Sequence, residues 1–218
     1  MTNDLEYCPV CLESQPVPFR QVEGKDYLRC LNCEATIMAP QSRLTAEQEK
    51  EIYELHNNDP GDARYRRFLA KLADPLMACL SEGARGLDFG CGPGPALAQM
   101  FTEVGFDMAL YDPFFHPDPS ALEARYDFIT CTEVAEHLYR PAEVFDQFDA
   151  LLKPGGWLGI MTCFQTDDAR FDNWYYRRDP THVMFYRPAT FHWLAAHYGW
   201  QLEIPRKDVV LLNKRTAG

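Results

Sequence analysis

The sequence predicts an α/β protein in which a doubly wound sheet follows a small zinc ribbon built on four cysteines. Three observations lead to this prediction. Two C-x2-C pairs stand within the first 35 residues, and an apolar strand runs directly into a glycine-rich turn at residues 86–94. From there to residue 214, strand-like and helix-like segments alternate, which is the order expected for a mostly parallel sheet covered by helices.

The composition is that of one globular domain with a small appendage. The chain has 218 residues, 46% of them hydrophobic, and a formal net charge of −11. No apolar run approaches the roughly eighteen residues of a membrane span, and the start, MTNDLEYCPVC, lacks a signal peptide's basic and apolar regions. We therefore expect a soluble, cytoplasmic protein. The acidic charge disfavours nucleic acid as a partner, although net charge is an average and allows a local basic patch.

Residues 1–44 are predicted to form the ribbon. Cys8 and Cys11 form one C-x2-C pair and Cys30 and Cys33 the other, with the eighteen residues 12–29 between them. This is the spacing of a four-thiolate zinc site, and the metal would stabilise a segment too small to fold on its own. Disulfides are the alternative, but the absence of an export signal argues against them. A closed four-thiolate shell is structural, and the slightly acidic ribbon favours a structural or lid role over nucleic-acid binding.

A helical lead-in is predicted over residues 45–82. The first helix opens at Thr45, a plausible N-cap, and a DPG sequence ends it. Tyr53, His56 and Asn57 would lie near the mouth of the next domain if this helix packs there, although a solvated helix face is the simpler explanation for each alone. A second helix follows, with apolar residues at helical spacing: Tyr65, Phe68, Leu69 and Leu72.

The glycine-rich turn indicates a nucleotide-like cofactor. The segment GLDFGCGPG at residues 86–94 joins a strand to a helix-forming run, and its glycines allow the backbone to approach a ligand closely. Asp88 stands two residues before the first glycine. A carboxylate here would repel a pyrophosphate but would suit an amino group, which favours S-adenosylmethionine over NAD.

The next strand also ends in an acid. DMALYDPFF places Asp112 twenty-four residues after Asp88 (112 minus 88). A carboxylate at this strand end is typical of binding to both ribose hydroxyls of an adenosine. Pro113 and Phe114 follow it and would flank the adenine.

Four segments together resemble the class I S-adenosylmethionine-dependent methyltransferases: GLDFGCGPG, YDPFF, ITCTEVAEHL and LLKPGGWLGIMT. The resemblance covers roughly residues 60–214 and implies a Rossmann-like methyltransferase domain at 83–218. It also implies roles for residues. Asp88 would face the methionyl amine, Asp112 would hold the ribose, and Glu133 would line the wall beside the sulfonium. The full set of implied cofactor residues is Asp88, Phe89, Gly90, Cys91, Gly92, Gly94, Asp112, Pro113, Phe114, Thr132 and Glu133.

One segment departs from the family pattern. Only residues 113–125 separate Asp112 from the next strand, and three of the first seven are prolines. The usual helix, strand and helix do not fit, so we predict that the third strand is missing or vestigial. Either cofactor binding is weakened, or the ribbon covers the gap.

The remaining elements fit the resemblance. An amphipathic helix is predicted from Pro141, followed by a KPGG turn and a strand at 157–164. A helix beginning at Pro188 should end at Gly199, and the segments on either side of Arg206 and Lys207 are predicted to form a closing hairpin.

The segment 164–188 is predicted to be a substrate-side insertion, because it has no clear period and long irregular segments are often functional. Its aromatic residues, including Phe171, would line a pocket for a flat or apolar acceptor, and its arginines would meet an anionic group. The alternative is that the aromatics cap the core. The candidate substrate residues are Trp174, Tyr175, Tyr176 and Arg177.

Two carboxylates and an imidazole follow the strand YDFITC. Glu133 and His137 are four residues apart and would share a face of a helix, with Glu136 beside them. The run resembles the Glu-x-x-Glu-His run of the ubiquinone-pathway O-methyltransferases and of the small-RNA 2′-O-methyltransferases. That resemblance implies a divalent cation (magnesium, manganese or zinc), with His182 as a fourth ligand. The alternative needs no metal: Glu136 starts a helix and the two histidines act as acid, base or positioning groups.

The sequence therefore predicts an S-adenosylmethionine-dependent methyltransferase that acts on a small molecule, with oxygen as the expected acceptor atom. A metal-dependent RNA 2′-O-methyltransferase and a non-catalytic partner protein that kept the fold are the alternatives. The oligomeric state is left open. The four cysteines outside the ribbon are expected to be free thiols: Cys79, Cys91, Cys131 and Cys163.

Overall fold

The computed structural model describes residues 5–53 and 59–216. His56 and Asn57 lie outside the described residues. Numbered along the chain, the small sheet contains β1 (Val17–Val22), β2 (Lys25–Arg29), β3 (Thr36–Met38) and β8 (Met184–Phe185). The large sheet contains β4 (Arg85–Phe89), β5 (Asp107–Tyr111), β6 (Tyr126–Thr132), β7 (Leu152–Met161), β9 (Gln201–Arg206) and β10 (Val209–Asn213).

The large sheet confirms the doubly wound methyltransferase topology. Its strand order is β5-β4-β6-β7-β10-β9; β4 to β7 pair in parallel, and β10 is antiparallel to both β7 and β9. The predicted closing hairpin is thus present. The strand after the KPGG turn begins earlier than predicted, at Leu152, because the backbone through this turn already continues the sheet.

The third strand of the usual family pattern is absent from the fully described segment 112–125, as the sequence predicts. This segment contains a single bridge between Asp112 and His116 and a 3-10 turn at Pro119–Leu122. Its prolines cannot donate backbone hydrogen bonds to a ladder. The large sheet therefore ends at β5.

Within the part of the chain that the structure describes, five α-helices flank the large sheet or lead into it. Gly159 on β7 allows the second helix to approach the sheet, because a Cβ at this position would lie 2.9 Å from Leu76 and 3.0 Å from Leu72. The last helix ends at Gly199 in the left-handed conformation, with a φ of 68°, as predicted. The helices are α1 (Ala46–Tyr53), α2 (Ala63–Met77), α3 (Ala96–Glu103), α4 (Pro141–Leu151) and α5 (Pro188–Tyr198).

The ribbon is joined to the main domain by a shared sheet and a shared core. Strand β3 pairs with β8, which belongs to the predicted insertion. Tyr27 on β2 packs its ring 4.9 Å from that of Phe171 and 6.0 Å from that of Phe185. The boundary predicted at residue 44 thus marks a change of element type, while the packing continues across it. Among the described residues, no helix is long and apolar enough to cross a membrane.

Candidate active site

One large cavity, of about 1230 Å³, opens at the carboxyl ends of the parallel strands. The segments that follow β4, β5, β6 and β7 line it, and α1, α2 and the insertion also contribute to its wall. Ligand pockets are commonly about 300–1,000 Å³. The volume is therefore sufficient for two ligands side by side.

The glycine turn after β4 forms one wall of this cavity. Gly90 has a φ of 76° and Gly92 a φ of 65°, in the left-handed region that favours glycine. A Cβ at Gly90 would lie 2.4 Å from the side chain of Val134, closer than side chains pack. The backbone amides of Gly90 and Cys91 donate to the carbonyl of Tyr111, which ties the turn to the end of β5.

Asp88 lies at the base of the turn. It is only 3% exposed, and the Thr130 hydroxyl donates a hydrogen bond of 2.8 Å to its carboxylate. Burial raises the pKa of Asp88 to about 6. A buried carboxylate of this kind gains most from a cationic partner, which is what the amino group of S-adenosylmethionine provides.

Asp112 joins the glycine turn to the loop after β5. Its Oδ2 accepts from the Gly92 amide at 3.0 Å, and its Oδ1 accepts from the amides of Phe114 and Phe115 at 2.9 and 3.0 Å. A carboxylate offers about four acceptor positions. Three of these positions are occupied by backbone amides, so about one acceptor position remains. For Asp112 to accept hydrogen bonds from both ribose hydroxyls, one of the backbone hydrogen bonds has to be released. Pro113 and Phe114 line the cavity, and their contact with the adenine stays a prediction.

The Glu-x-x-Glu-His run does not form the predicted helical face. Glu133 has a left-handed φ of 52°, and a short 3-10 turn spans Ala135–His137. The Glu133 amide still donates to the Met161 carbonyl at 2.8 Å, so the sheet ladder extends through this residue before the chain turns. Glu133 and His137 therefore lie on different parts of a tight turn, because the end of β6 overrides the local helical pattern.

Three of the four proposed metal ligands converge. One ligand atom each from Glu136, His137 and His182 lies within 4.8 Å of the others. The Oε1 atom of Glu136 is 3.8 Å from Nε2 of His137 and 4.0 Å from Nε2 of His182. Glu133 is not in this group; it lines the same cavity, and its role as a fourth ligand stays a prediction. Burial raises its pKa to about 9, and the charge of Glu136 adds to the effect.

The chemistry of the three groups fits a divalent cation. Glu136 is fully buried; its Oε2 accepts from the Thr162 hydroxyl at 2.9 Å, whereas Oε1 has no hydrogen-bond partner among the described residues. Nδ1 of His137 lies 3.1 Å from the Thr181 carbonyl, and Nδ1 of His182 lies 2.7 Å from the Tyr176 carbonyl. Because a carbonyl accepts only from a protonated nitrogen, Nδ1 carries a proton in both rings. In a neutral imidazole the lone pair is then on Nε2, the atom that lies 3.8 Å (His137) or 4.0 Å (His182) from Oε1 of Glu136. One carboxylate and two imidazoles form a common open-sided set for a divalent ion.

The predicted substrate residues divide between the cavity and the protein interior. Trp174, Tyr175 and Tyr176 line the cavity, and the Tyr175 side chain is 70% exposed. Arg177 does not line it. Its guanidinium group is buried and is bonded to Glu23 of the ribbon, which corrects its assignment as a substrate residue.

Phe171 is also part of the core, for a related reason. It is fully buried and packs on Phe19, Tyr27 and Phe185. The alternative that aromatics cap the core is therefore right for this residue.

Several cavity residues were not predicted. Lys71 on α2 and Asp208 in the final hairpin form an ion pair of 2.6 Å at the cavity wall, although they are 137 residues apart in sequence. No local pattern reveals such a pair. Thr130, the hydrogen-bond partner of Asp88, carries a sequence signal, because it is a polar residue among the apolar residues Phe128, Ile129 and Cys131 of β6.

The four ribbon cysteines are brought together as predicted. The Sγ atoms of Cys8 and Cys33 are 3.7 Å apart, and those of Cys11 and Cys30 are 3.6 Å apart. Four sulfurs at about 2.3 Å from a zinc ion would be separated by about 3.8 Å. The residue after each pair, Leu12 and Glu34, is left-handed, with a φ of 56° and 62°. The two knuckles thus turn in the same way around one centre. None of the eight cysteines forms a disulfide.

The strand order and the cavity at the strand ends are those of a Rossmann-like α/β fold of the methyltransferase type. The chain belongs to the methyltransferase domain family, whose model matches residues 61–203.

Two curated relatives illustrate this membership. The ubiquinone biosynthesis O-methyltransferase of Bordetella avium is 34% identical over 139 residues, which cover 53% of this chain and 54% of the relative. The enzyme of the same name from Leptothrix cholodnii is 35% identical over 105 residues, which cover 37% and 45%. The chain thus matches only about half the length of these relatives.

Solved structures share the fold at low sequence identity. The 1,6-didemethyltoxoflavin-N1-methyltransferase of Burkholderia thailandensis, solved with its substrate and S-adenosylhomocysteine, is 16% identical with a TM-score of 0.55, covering 91% of this chain and 99% of its own. The [4+2]-cyclase SpnF is 14% identical with a TM-score of 0.51, covering 80% and 98%. Since a cyclase shares the fold, the fold alone does not determine the reaction, and the site must be argued separately.

Proposed function

We propose that this protein transfers the methyl group of S-adenosylmethionine to a hydroxyl oxygen of a small molecule, with a divalent cation held by Glu136, His137 and His182. The observation that carries the proposal is the convergence of these three ligand groups, within 4.8 Å of one another, in the wall of the predicted cofactor cavity. The O-methyltransferase names of the curated relatives support oxygen as the acceptor atom.

In this proposal, the ends of β4 and β5 hold the cofactor. The Asp88 carboxylate binds the amino group, the glycine turn presents its backbone, and Asp112 accepts from the ribose. The methyl group would then point toward the end of β6, where Glu133 and Glu136 lie. A bond would form between the acceptor oxygen and the methyl carbon as the carbon–sulfur bond broke, with S-adenosylhomocysteine as the leaving group. The protein's main task is to hold oxygen, carbon and sulfur close to a line.

The acceptor hydroxyl must lose its proton during transfer. A divalent cation, when bound, lowers the pKa of a hydroxyl that coordinates to it. Glu136 supplies a negative charge to this position, and the Thr162 hydroxyl fixes the orientation of its carboxylate. The carbonyls of Tyr176 and Thr181 hold the two histidine rings in the orientation that a cation requires. Trp174 and Tyr175 are placed to contact a flat acceptor.

The proposal also assigns a structural zinc ion to the four ribbon cysteines, supported by their sulfur separations. The cytoplasmic location and the small-molecule acceptor belong to the proposal as well. The acidic net charge of −11 supports an acceptor other than RNA.

The test is a transfer assay with S-adenosylmethionine labelled at its methyl group and a panel of hydroxylated small molecules, with an RNA oligonucleotide as comparison. We expect a chelator to abolish transfer while calorimetry shows unchanged cofactor affinity, and His182→Ala to behave in the same way. His192→Ala is the matched control, because His192 lies exposed on α5. Full transfer in chelator, with zinc still bound to the ribbon, would reduce His137 and His182 to acid–base or positioning groups. Transfer to RNA alone would overturn the small-molecule assignment.

A further inference from the structure

One short loop, residues 176–182, carries two parts of the proposed cation site. Its last residue is the ligand His182, and the carbonyl of its first residue, Tyr176, lies 2.7 Å from Nδ1 of that histidine. The Tyr176 ring also packs on the His182 ring, with centroids 4.2 Å apart. The orientation of the His182 imidazole ring therefore depends on the distance between the two ends of this loop.

The ribbon holds the first end of the loop through Arg177. This side chain is 1% exposed, and its guanidinium donates to Oε2 of Glu23 at 3.1 Å and to the Tyr27 hydroxyl at 3.4 Å. It also donates to the Asp172 carbonyl at 2.9 Å within the insertion. A buried arginine with partners on two elements fixes their separation.

The conformation of Glu23 supports the importance of this link. Glu23 has a left-handed φ of 52° and, with Gly24 at 78°, forms the turn between β1 and β2. Turns of this kind favour Asn, Asp or Gly at the first position. A glutamate that breaks this local preference has a compensating contact, and here that contact is Arg177.

The ribbon holds the other end of the loop through its third strand. The Met38 amide donates to the Val183 carbonyl at 2.8 Å, and the Val183 amide donates to the Glu136 carbonyl at 2.9 Å. The residue directly after His182 is thus hydrogen-bonded to the ribbon on one side and to a second cation ligand on the other. The pairing continues from Ile37 to Met184.

The cysteine cluster lies between the two ribbon strands whose residues contact the ends of the loop 176–182. Arg29, the last residue of β2, directly precedes Cys30, and the Cys30 amide donates to the Ala35 carbonyl at 2.9 Å, just before β3 begins. The turn that carries Cys30 and Cys33 therefore connects β2 to β3 and sets how these two strands lie relative to each other. Both anchors of the loop 176–182 are thus carried by strands that lead into or out of this turn.

We infer that the ribbon sets the affinity of the Glu136–His137–His182 site for a divalent cation, and that Arg177 is the positioning residue through which it acts. This inference rests on the proposed cation site. In this inference the ribbon affects the transfer reaction although it contacts neither S-adenosylmethionine nor the methyl acceptor.

The test measures binding of Mn²⁺ to the zinc-loaded full chain by electron paramagnetic resonance of the free ion. The wild-type protein should bind one Mn²⁺, and His182→Ala should not. Arg177→Met should weaken Mn²⁺ binding by at least about tenfold, which corresponds to about 1.4 kcal/mol, while its affinity for S-adenosylmethionine stays within about twofold. Arg178→Met is the matched control, because Arg178 is exposed and should bind Mn²⁺ as the wild type does.

Two further variants keep the test decisive. Arg177→Lys keeps the positive charge but lacks the forked guanidinium group that donates to several partners at once. It should therefore bind Mn²⁺ more tightly than Arg177→Met but more weakly than the wild type. If Arg177→Met does not fold, Glu23→Gln removes the same ion pair from its exposed end and should weaken Mn²⁺ binding in the same direction. If Arg177→Met, or Glu23→Gln where that variant is used, binds Mn²⁺ as tightly as the wild type does, the inference about the ribbon is wrong, whereas the proposed cation site still stands. An absence of Mn²⁺ binding by the wild-type protein overturns the cation site and the inference with it.

Discussion

Replacing Gly90 by alanine tests the geometry of the cofactor turn. Two separate costs are expected. The left-handed backbone, with a φ of 76°, is disfavoured by about 1–2 kcal/mol for a residue with a Cβ. The new Cβ would also lie 2.4 Å from one methyl carbon of Val134 and 2.9 Å from the other, and overpacking of this kind costs about 1–3 kcal/mol. Together they should lower the free energy of unfolding by roughly 2–5 kcal/mol.

Gly105→Ala separates the two costs. Gly105 has a φ of 97°, but no atom lies within 4 Å of the place where its Cβ would stand. This variant should therefore show only the backbone cost. The difference between the two variants in urea denaturation should be about 1–3 kcal/mol, or a shift in melting temperature of about 2–4 °C per kcal/mol for a chain of this size.

Cofactor binding supplies the second measurement. The glycine turn must shift to make room for the alanine side chain. Gly90→Ala should therefore weaken the binding of S-adenosylhomocysteine, measured by calorimetry, by at least about tenfold, which corresponds to about 1.4 kcal/mol. Gly105→Ala should leave it unchanged. In the double variant Gly90→Ala/Val134→Ala, part of the stability should return, with a coupling energy of about 1–3 kcal/mol. Equal destabilisation by the two alanines, with cofactor affinity intact in both, would refute the reasoning.

Three further results are expected. Because burial raises the pKa of Asp88 from 3.8 to about 6, the folded ligand-free protein holds a proton that the unfolded chain releases, and the carboxyl lowers stability as pH rises through this range. Asp88→Asn should therefore be more stable than the wild type at pH 7, by up to about 3 kcal/mol at about 1.36 kcal/mol per pH unit, but not at pH 4, and it should lose cofactor binding; urea denaturation at both pH values and calorimetry check this. Asp112→Ala should weaken cofactor binding by at least about tenfold, since hydrogen bonds to charged groups contribute about 1.5–3 kcal/mol; unchanged calorimetry would remove its ribose role. Metal analysis should find a zinc ion that His182→Ala retains and Cys33→Ser loses, and its absence from protein purified without chelator would end the ribbon assignment.

The features that are local in sequence were predicted well. The two cysteine pairs, the strand and glycine turn at Asp88, and the acid at Asp112 each depend on fixed spacings along a few residues, and the structure brings them to the expected places. The missing third strand was predicted for the same reason, because too few residues are present to form it. Chain length and residue type are sufficient when the physical constraint acts within one turn or one strand.

The features that depend on distant contacts were decided by tertiary structure. Glu133 begins a helix-like run, but the hydrogen bond from its amide to the Met161 carbonyl holds it in the sheet ladder, and it lies outside the group of converging ligand atoms. Arg177 is adjacent to cavity residues in sequence, yet its partners Glu23 and Tyr27 come from the ribbon, about 150 residues earlier. The sequence by itself determined the fold, the cofactor turn and the cysteine cluster. Which of the predicted side chains face the cavity was decided by tertiary contacts, among them the packing of the ribbon against the insertion, because burial and hydrogen bonding across the fold outweigh local pattern.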